Sequence, residues 1–165
     1  MKKLLSLTVI VLLFAATTVK AQSYTTALGA RIGTESGITL KHFIKSKAAL
    51  EGILAFDHHS FDITGLYEVQ GNAFSEPGLD WFVGGGAHIG SFRYHHNDYD
   101  DHAVKFGLDG ILGLEYTFAG APINVGVDWK PEINFTGYDD HNGHHYGEGF
   151  YADNFALSVR FTFGR

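Results

Sequence analysis

Hydrophobic and polar residues alternate along most of this chain. From Lys105 to Phe118 the even positions are Phe106, Leu108, Gly110, Leu112, Leu114, Tyr116 and Phe118, and the odd ones are Lys105, Gly107, Asp109, Ile111, Gly113, Glu115 and Thr117. A period of two sustained this long is the signature of a β-strand with two unlike faces. The pattern returns with Ile123, Val125, Val127, Trp129, Pro131, Ile133 and Phe135 on one face. It returns again at the end, where Tyr151, Phe155, Leu157, Val159, Phe161 and Phe163 oppose Asn154, Ala156, Ser158, Arg160 and Thr162. Tyr24 to Gly33, Ile38 to Ile44, Ala48 to Phe56, Phe61 to Gln70 and Leu79 to Phe92 complete a set of eight predicted strands. No window offers an amphipathic helix of ordinary length. Eight successive strands without a crossover predict an all-β, antiparallel up-and-down barrel, whose closure removes exposed edges. Pro131 lacks an N–H, so a bulge is expected there.

Side-chain size then chooses the direction of the faces. A soluble lipocalin-like barrel turns its apolar face inward, and a membrane barrel turns it outward. Here the apolar face is crowded with Phe, Leu, Trp and Tyr, whereas the other carries Gly, Ala, Asp, Thr and Asn with scattered charges. The interior of eight strands is just wide enough to be filled by side chains, so the small polar face fits inside and the bulky one against lipid. Arg31, Lys41, Lys105, Lys130 and Arg160 would pair in the lumen with carboxylates such as Glu51, Asp62, Glu68, Asp109, Glu115, Asp128 and Glu132. Phe56, Phe61, Phe106, Tyr116, Phe118, Phe135, Tyr151 and Phe163 lie near strand ends, where interfacial aromatic girdles form. If the first strand starts on the periplasmic side, the inner turns are Lys45 to Lys47, Gly71 to Gly78 and Ala119 to Ala121. The outer loops are Thr34 to Gly37, Asp57 to Ser60, Arg93 to Val104 and Thr136 to Gly149, and the two longest connections then fall outside, as membrane barrels require.

The start of the chain reads as an export signal. Lys2 and Lys3 precede an apolar run from Leu4 to Ala16, and Val19-Lys20-Ala21 provides a cleavage site. The run is shorter than the ~20 residues a membrane-spanning helix needs. Residues 1–21 are therefore expected to be a signal peptide cleaved after Ala21, leaving residues 22–165 as one barrel domain. Loss of three lysines takes the formal charge from -6 to -9. That balance excludes a nucleic-acid partner. The absence of Cys excludes disulfides, thiolate metal sites, a cysteine nucleophile and a lipidated N-terminal cysteine. The count of 21 glycines is well above the usual share, and much of this Gly is expected on the lumen face, where small residues let strands close.

The sequence resembles the small outer-membrane β-barrel proteins of Bacteroidetes-type Gram-negative bacteria, relatives in architecture of the eight-stranded OmpA and OmpX barrels. The resemblance rests on Gly110-Ile111-Leu112-Gly113-Leu114-Glu115-Tyr116, on Pro122-Ile123, on Asp128-Trp129-Lys130-Pro131 and on the terminal Arg160-Phe161-Thr162-Phe163. It covers essentially the whole mature chain. It implies residence in the outer membrane, contact with its lipid, and insertion by a machinery that reads the C-terminal aromatic strand, although Gly164 and Arg165 follow the final Phe163. It implies no activity, cofactor or external ligand.

Histidines supply the candidate chemistry. His58, His59, His95, His96, His102, His141, His144 and His145 fall in connections that the topology places at one end, accompanied by Asp57, Asp98, Asp100, Asp101, Asp139, Asp140 and Glu148. Imidazole with carboxylate suits divalent zinc, nickel or copper, so His95, His96, His102, His141, His144 and His145 form a candidate metal site. The plainer reading is solvated acidic loops. His58-His59-Ser60 with Asp57 and Asp62 holds the residue types of a nucleophile, base and orienting acid, with Ser60 and His58 in the first two roles, as a lipid A-modifying enzyme would need. Adjacent loop residues rarely achieve that geometry, and no enzyme is expected. His88, on the polar face of the fifth strand, is expected to hydrogen-bond in the lumen. The favoured function is a structural or interaction barrel with acidic, His-rich external loops and no open pore; loop metal binding and lipid modification are the alternatives.

Overall fold

A computed structural model describes residues 24–57, 60–96, 99–136, 138–139, 145–146 and 148–164. The proposed signal peptide and its cleavage site lie outside these residues. The strands are β1 (Thr26–Gly33), β2 (Ser36–Lys45), β3 (Ala48–Asp57), β4 (Ser60–Asn72), β5 (Leu79–His96), β6 (Tyr99–Thr117), β7 (Ile123–Trp129), β8 (Glu132–Asn134), β9 (Tyr138–Asp139), β10 (His145–Tyr146), β11 (Gly149–Tyr151) and β12 (Phe155–Phe163). Each of β1 to β6 is one stave of the barrel. β7 continues into β8 as the seventh, and β11 continues into β12 as the eighth, which pairs with β1 and closes the ring. All pairings are antiparallel, and β9 and β10 form a small separate ladder.

Parity settles which way each residue points. On β12, Ala156, Ser158, Arg160 and Thr162 are buried, and Phe155, Leu157, Val159, Phe161 and Phe163 between them are exposed. The same division runs round the ring, with Ile32, Ile38, Leu50, Ile63, Ile89, Leu108 and Val127 outside. Lys41, Glu51, Glu68, Asp109 and Arg160 are inside. The expected aromatic positions Phe56, Phe61, Phe106, Phe118, Phe135 and Phe163 are all exposed on the outer surface.

Glycine makes room on the inner face. A Cβ on Gly113 would strike the Phe82 ring and the Val127 carbonyl, and one on Gly86 would strike the backbone of Gly65. On the outer parity Gly52 and Gly65 have open space around them.

Two expectations need correction. The segment from Arg93 to Val104 is not a long loop, because β5 and β6 run on as an extended hairpin in which Arg93 pairs with His102 and His95 with Asp100. Tyr94, Tyr99 and Val104 are the β-favouring residues among this segment's charged ones, and an antiparallel partner already in register extends pairing past the point where apolar alternation fades. Nor does Pro131 sit in a bulge of its own strand: the pairing with β6 runs unshifted from Leu112↔Trp129 to Gly107↔Asn134, and the Gly110 N–H donates to the Pro131 carbonyl at 2.9 Å. The extra residue lies opposite, where residues 152–154 join β11 to β12 and the pairing slips by one. The missing Pro131 N–H leaves that edge unbonded, and the partner strand absorbs the irregularity. The Lys130 N–H donates to the Asn154 carbonyl at 2.8 Å, and Trp129 Nε1 donates to the Ala152 carbonyl at 2.7 Å. The slip makes Phe150, rather than Tyr151, the partner of outward-facing Ile133.

Crowding on the inner face, against the open space at Gly52, sets an expectation for substitution. Gly113→Val destabilises the barrel by about 1–3 kcal/mol through overpacking, whereas Gly52→Ala leaves stability essentially unchanged; urea unfolding in lipid vesicles measures both.

Candidate functional site: the charged lumen

Polar side chains projecting inward from the staves have little water to solvate them, so they must solvate one another. Near the end carrying the chain termini, Arg160 Nη2 lies 2.6 Å from Glu51 Oε1, which also accepts a hydrogen bond from the Thr39 hydroxyl. Arg160 Nη1 donates to Asn124 Oδ1 at 3.3 Å and stands 3.7 Å from Glu115 Oε2, an ion pair expected from the parity of the two strands. Lys41 Nζ bridges Glu68 and Glu115 at 2.9 Å each and sits 4.4 Å from the centre of the Phe82 ring. The Tyr24 hydroxyl donates to Glu115 Oε1 at 2.9 Å. Burial and the neighbouring Glu115 charge raise the Tyr24 phenol far above its ordinary value, so it remains a donor at any physiological pH. With Phe82 from β5 and Tyr24 just ahead of β1, this network draws on every stave.

Above it the lumen becomes apolar on one wall. Ile53 and Ala55 from β3, Leu66 from β4, Phe82 from β5 and Ile111 from β6 form a buried cluster. Along β4 the inward order is Glu68, Leu66, Thr64, Asp62, and along β6 it is Glu115, Gly113, Ile111, Asp109, so the cluster separates two charged layers. On the other wall Arg31 Nη1 meets Asp128 Oδ2 at 2.6 Å. These apolar plugs were not expected from the sequence.

The far layer centres on Lys130. Its ammonium lies 2.9 Å from Asp109 Oδ1, 3.1 Å from Glu132 Oε2 and 3.1 Å from Glu35 Oε2. Lys105 Nζ pairs with Asp62 Oδ2 at 2.9 Å, and His88 Nδ1 with Asp109 Oδ2 at 2.9 Å, placing His88 in the hydrogen-bonding role expected of it. Glu35 occupies the turn between β1 and β2. Burial pushes its carboxyl up, but Lys130 and a hydrogen bond from Asn154 pull harder and hold it below the usual carboxylate value.

Four of the histidines singled out by sequence lie toward the end opposite the termini. His95 and His96 lie on β5, His102 on β6 and His145 on β10; His95 is registered against Asp100, and His145 against Asp139. His141, His144, His58 and His59 lie outside the described residues. Ser60 pairs with Asp57 at the tip of the β3–β4 hairpin. At the terminal end, an open vestibule of about 440 Å³ is lined in part by Tyr24, Phe43, Lys45, Lys47, Gln70 and Asp80.

Removing one member of a buried ion pair leaves an uncompensated charge, at a cost of about 3–5 kcal/mol. Arg160→Met therefore destabilises the barrel by that order, and Arg160→Met combined with Glu51→Gln recovers part of the loss; denaturant midpoints of both variants in vesicles provide the comparison.

No family model and no curated protein matches the chain. Solved structures do. The N-terminal β-barrel domain of Pseudomonas aeruginosa OprF superposes with a TM-score of 0.57 at 11% identity, covering 82% of this chain and 95% of that one. Neisserial surface protein A superposes with a TM-score of 0.52 at 12% identity, covering 84% and 93% respectively. At such identities the likeness is one of fold: this chain is a closed, eight-stranded antiparallel barrel of the architecture found in small outer-membrane proteins.

Proposed function

We propose that the protein is a small outer-membrane barrel of structural and interaction type, with a closed lumen and an acidic, His-rich end directed away from the cell. The observation that carries this reading is the inverted surface. Ile32 is 62% exposed and Val104 59%, while Arg31 and Lys41 are at most 1% exposed. Such a surface is stable in hydrocarbon and would aggregate in water. The two solved barrels of similar fold support the same location. The orientation rests on asymmetry: β2–β3, β4–β5 and β6–β7 are joined by short turns at the terminal end, and the β5–β6 hairpin and the β9–β10 ladder extend from the other.

The lumen argues against free diffusion. Phe82 is fully buried within it, and the charged side chains pair with one another across it. Side chains fill the interior, as expected for eight strands. A rigid scaffold of this kind displays its external end to ligands, proteins or surfaces without catalysis or transport. The C-terminal strand ending at Phe163, paired with β1 along its length, is the segment that the insertion machinery would engage.

Fractionation tests the location: the protein is expected in the outer membrane, with folded and heated forms of different electrophoretic mobility and an epitope inserted at residues 141–144 reached by antibody on intact cells. Recovery in the soluble periplasm would refute it. In planar bilayers the wild-type barrel is expected to be nearly silent, and Phe82→Ala combined with Ile111→Ala to raise conductance.

A further inference from the structure

The layer of lumen charge around Lys130 does not balance. Glu35, Asp62, Asp109 and Glu132 are grouped with two ammonium ions, Lys105 and Lys130, so two formal negative charges remain when His88 is neutral. One donor atom from each of His88, Asp109 and Glu132 lies within 4.8 Å of the others, and all three residues are buried. Unused donor capacity surrounds them. His88 Nε2, Asp62 Oδ1 and Asn134 Oδ1 have no hydrogen-bond partner, although none of these residues is more than 6% exposed. Orphaned acceptors gathered around an excess of negative charge are costly in a protein interior.

We propose that His88, Asp109 and Glu132 form a lumen site for a divalent transition-metal ion, with Lys130 as the built-in cation that the metal displaces. An imidazole nitrogen with carboxylate oxygens selects zinc and its first-row neighbours over magnesium and calcium, which prefer oxygen alone. A doubly charged ion cancels the two residual negative charges. Lys130 loses nothing essential on displacement, because Glu35, the third carboxylate it touches, is not a metal ligand and remains its partner at the mouth. The side chains of Glu35 and Lys105 are 18% and 17% exposed, so the layer opens toward the end from which an ion would enter. This site shares no residue with the candidate set His95, His96, His102, His141, His144 and His145.

Zinc titration by calorimetry on the refolded barrel in detergent tests the proposal, in a background where the eight histidines outside the lumen end (His58, His59, His95, His96, His102, His141, His144 and His145) are replaced by Asn. One zinc per barrel is expected at about micromolar affinity, with no response to calcium or magnesium. His88→Ala and Glu132→Gln are each expected to weaken binding by at least about tenfold. Lys130→Met is expected to tighten it, a change of the opposite sign that general loosening of the lumen would not produce. Heat-modifiable mobility verifies that each variant folds; if His88→Ala does not, His88→Gln takes its place. Absence of binding below millimolar in the background, or an affinity indifferent to His88 and Lys130, would overturn the site.

Discussion

A charged group held in a narrow, water-poor lumen stabilises the fold only if it meets its opposite there. The rest of this barrel follows from that constraint. Eight staves enclose too little space for bulky rings on every inward position, so large apolar side chains go outward and small or polar ones inward. The inward charges then have to be distributed so that partners from different staves meet. Arg160 from β12 reaches Glu51 on β3, and Lys41 from β2 reaches Glu68 on β4 and Glu115 on β6, spanning the lumen between non-adjacent staves. Such contacts fix the ring's circumference and register together, because a one-residue slip in any stave would turn its charges into the lipid-facing surface. Glycine completes the arrangement where an inward side chain would collide with Phe82 or a neighbouring backbone.

Most of the fold was legible in the sequence because a period of two is an unambiguous signal when it persists, as it does through β6, β7 and β12. It fails where both faces are apolar. Trp81-Phe82-Val83 has no alternation of its own, and only its neighbours Gly84 and Gly86 on the same parity mark Phe82 as inward. Ile111 was visible on the polar face, but its partners Ile53 and Leu66 sit on staves distant in sequence, so the plug became apparent only with the register. The β5–β6 extension was missed because its residues are charged and resemble a loop. Proline at 131 was recognised as disruptive, yet the sequence of one strand cannot reveal which strand of the pair absorbs the disruption.

The same logic separates the two sets of candidate metal ligands. His95, His96, His102, His141, His144 and His145 advertise themselves by clustering in sequence. His88, Asp109 and Glu132 come from three different elements, each was legible as a lumen residue, and nothing but the pairing β5–β6–β8 brings them together. Chemistry in such a barrel is written in the register more than in local motifs. The plug of Ile53, Leu66, Phe82 and Ile111 on one wall, with the Arg31–Asp128 pair on the other, lies between the two charged layers.

The central claim is the inversion of inside and outside, and the absence of cysteine permits a direct measurement. Single cysteines at outward positions Leu28, Ile63, Leu108 and Leu157, and at inward positions Thr39, Thr64 and Ser158, can carry nitroxide spin labels in barrels reconstituted into vesicles. Collision with oxygen dissolved in lipid should be frequent at the outward set and rare at the inward set. Protection of the outward positions from lipid-dissolved oxygen, with frequent collision at the inward ones, would contradict the account.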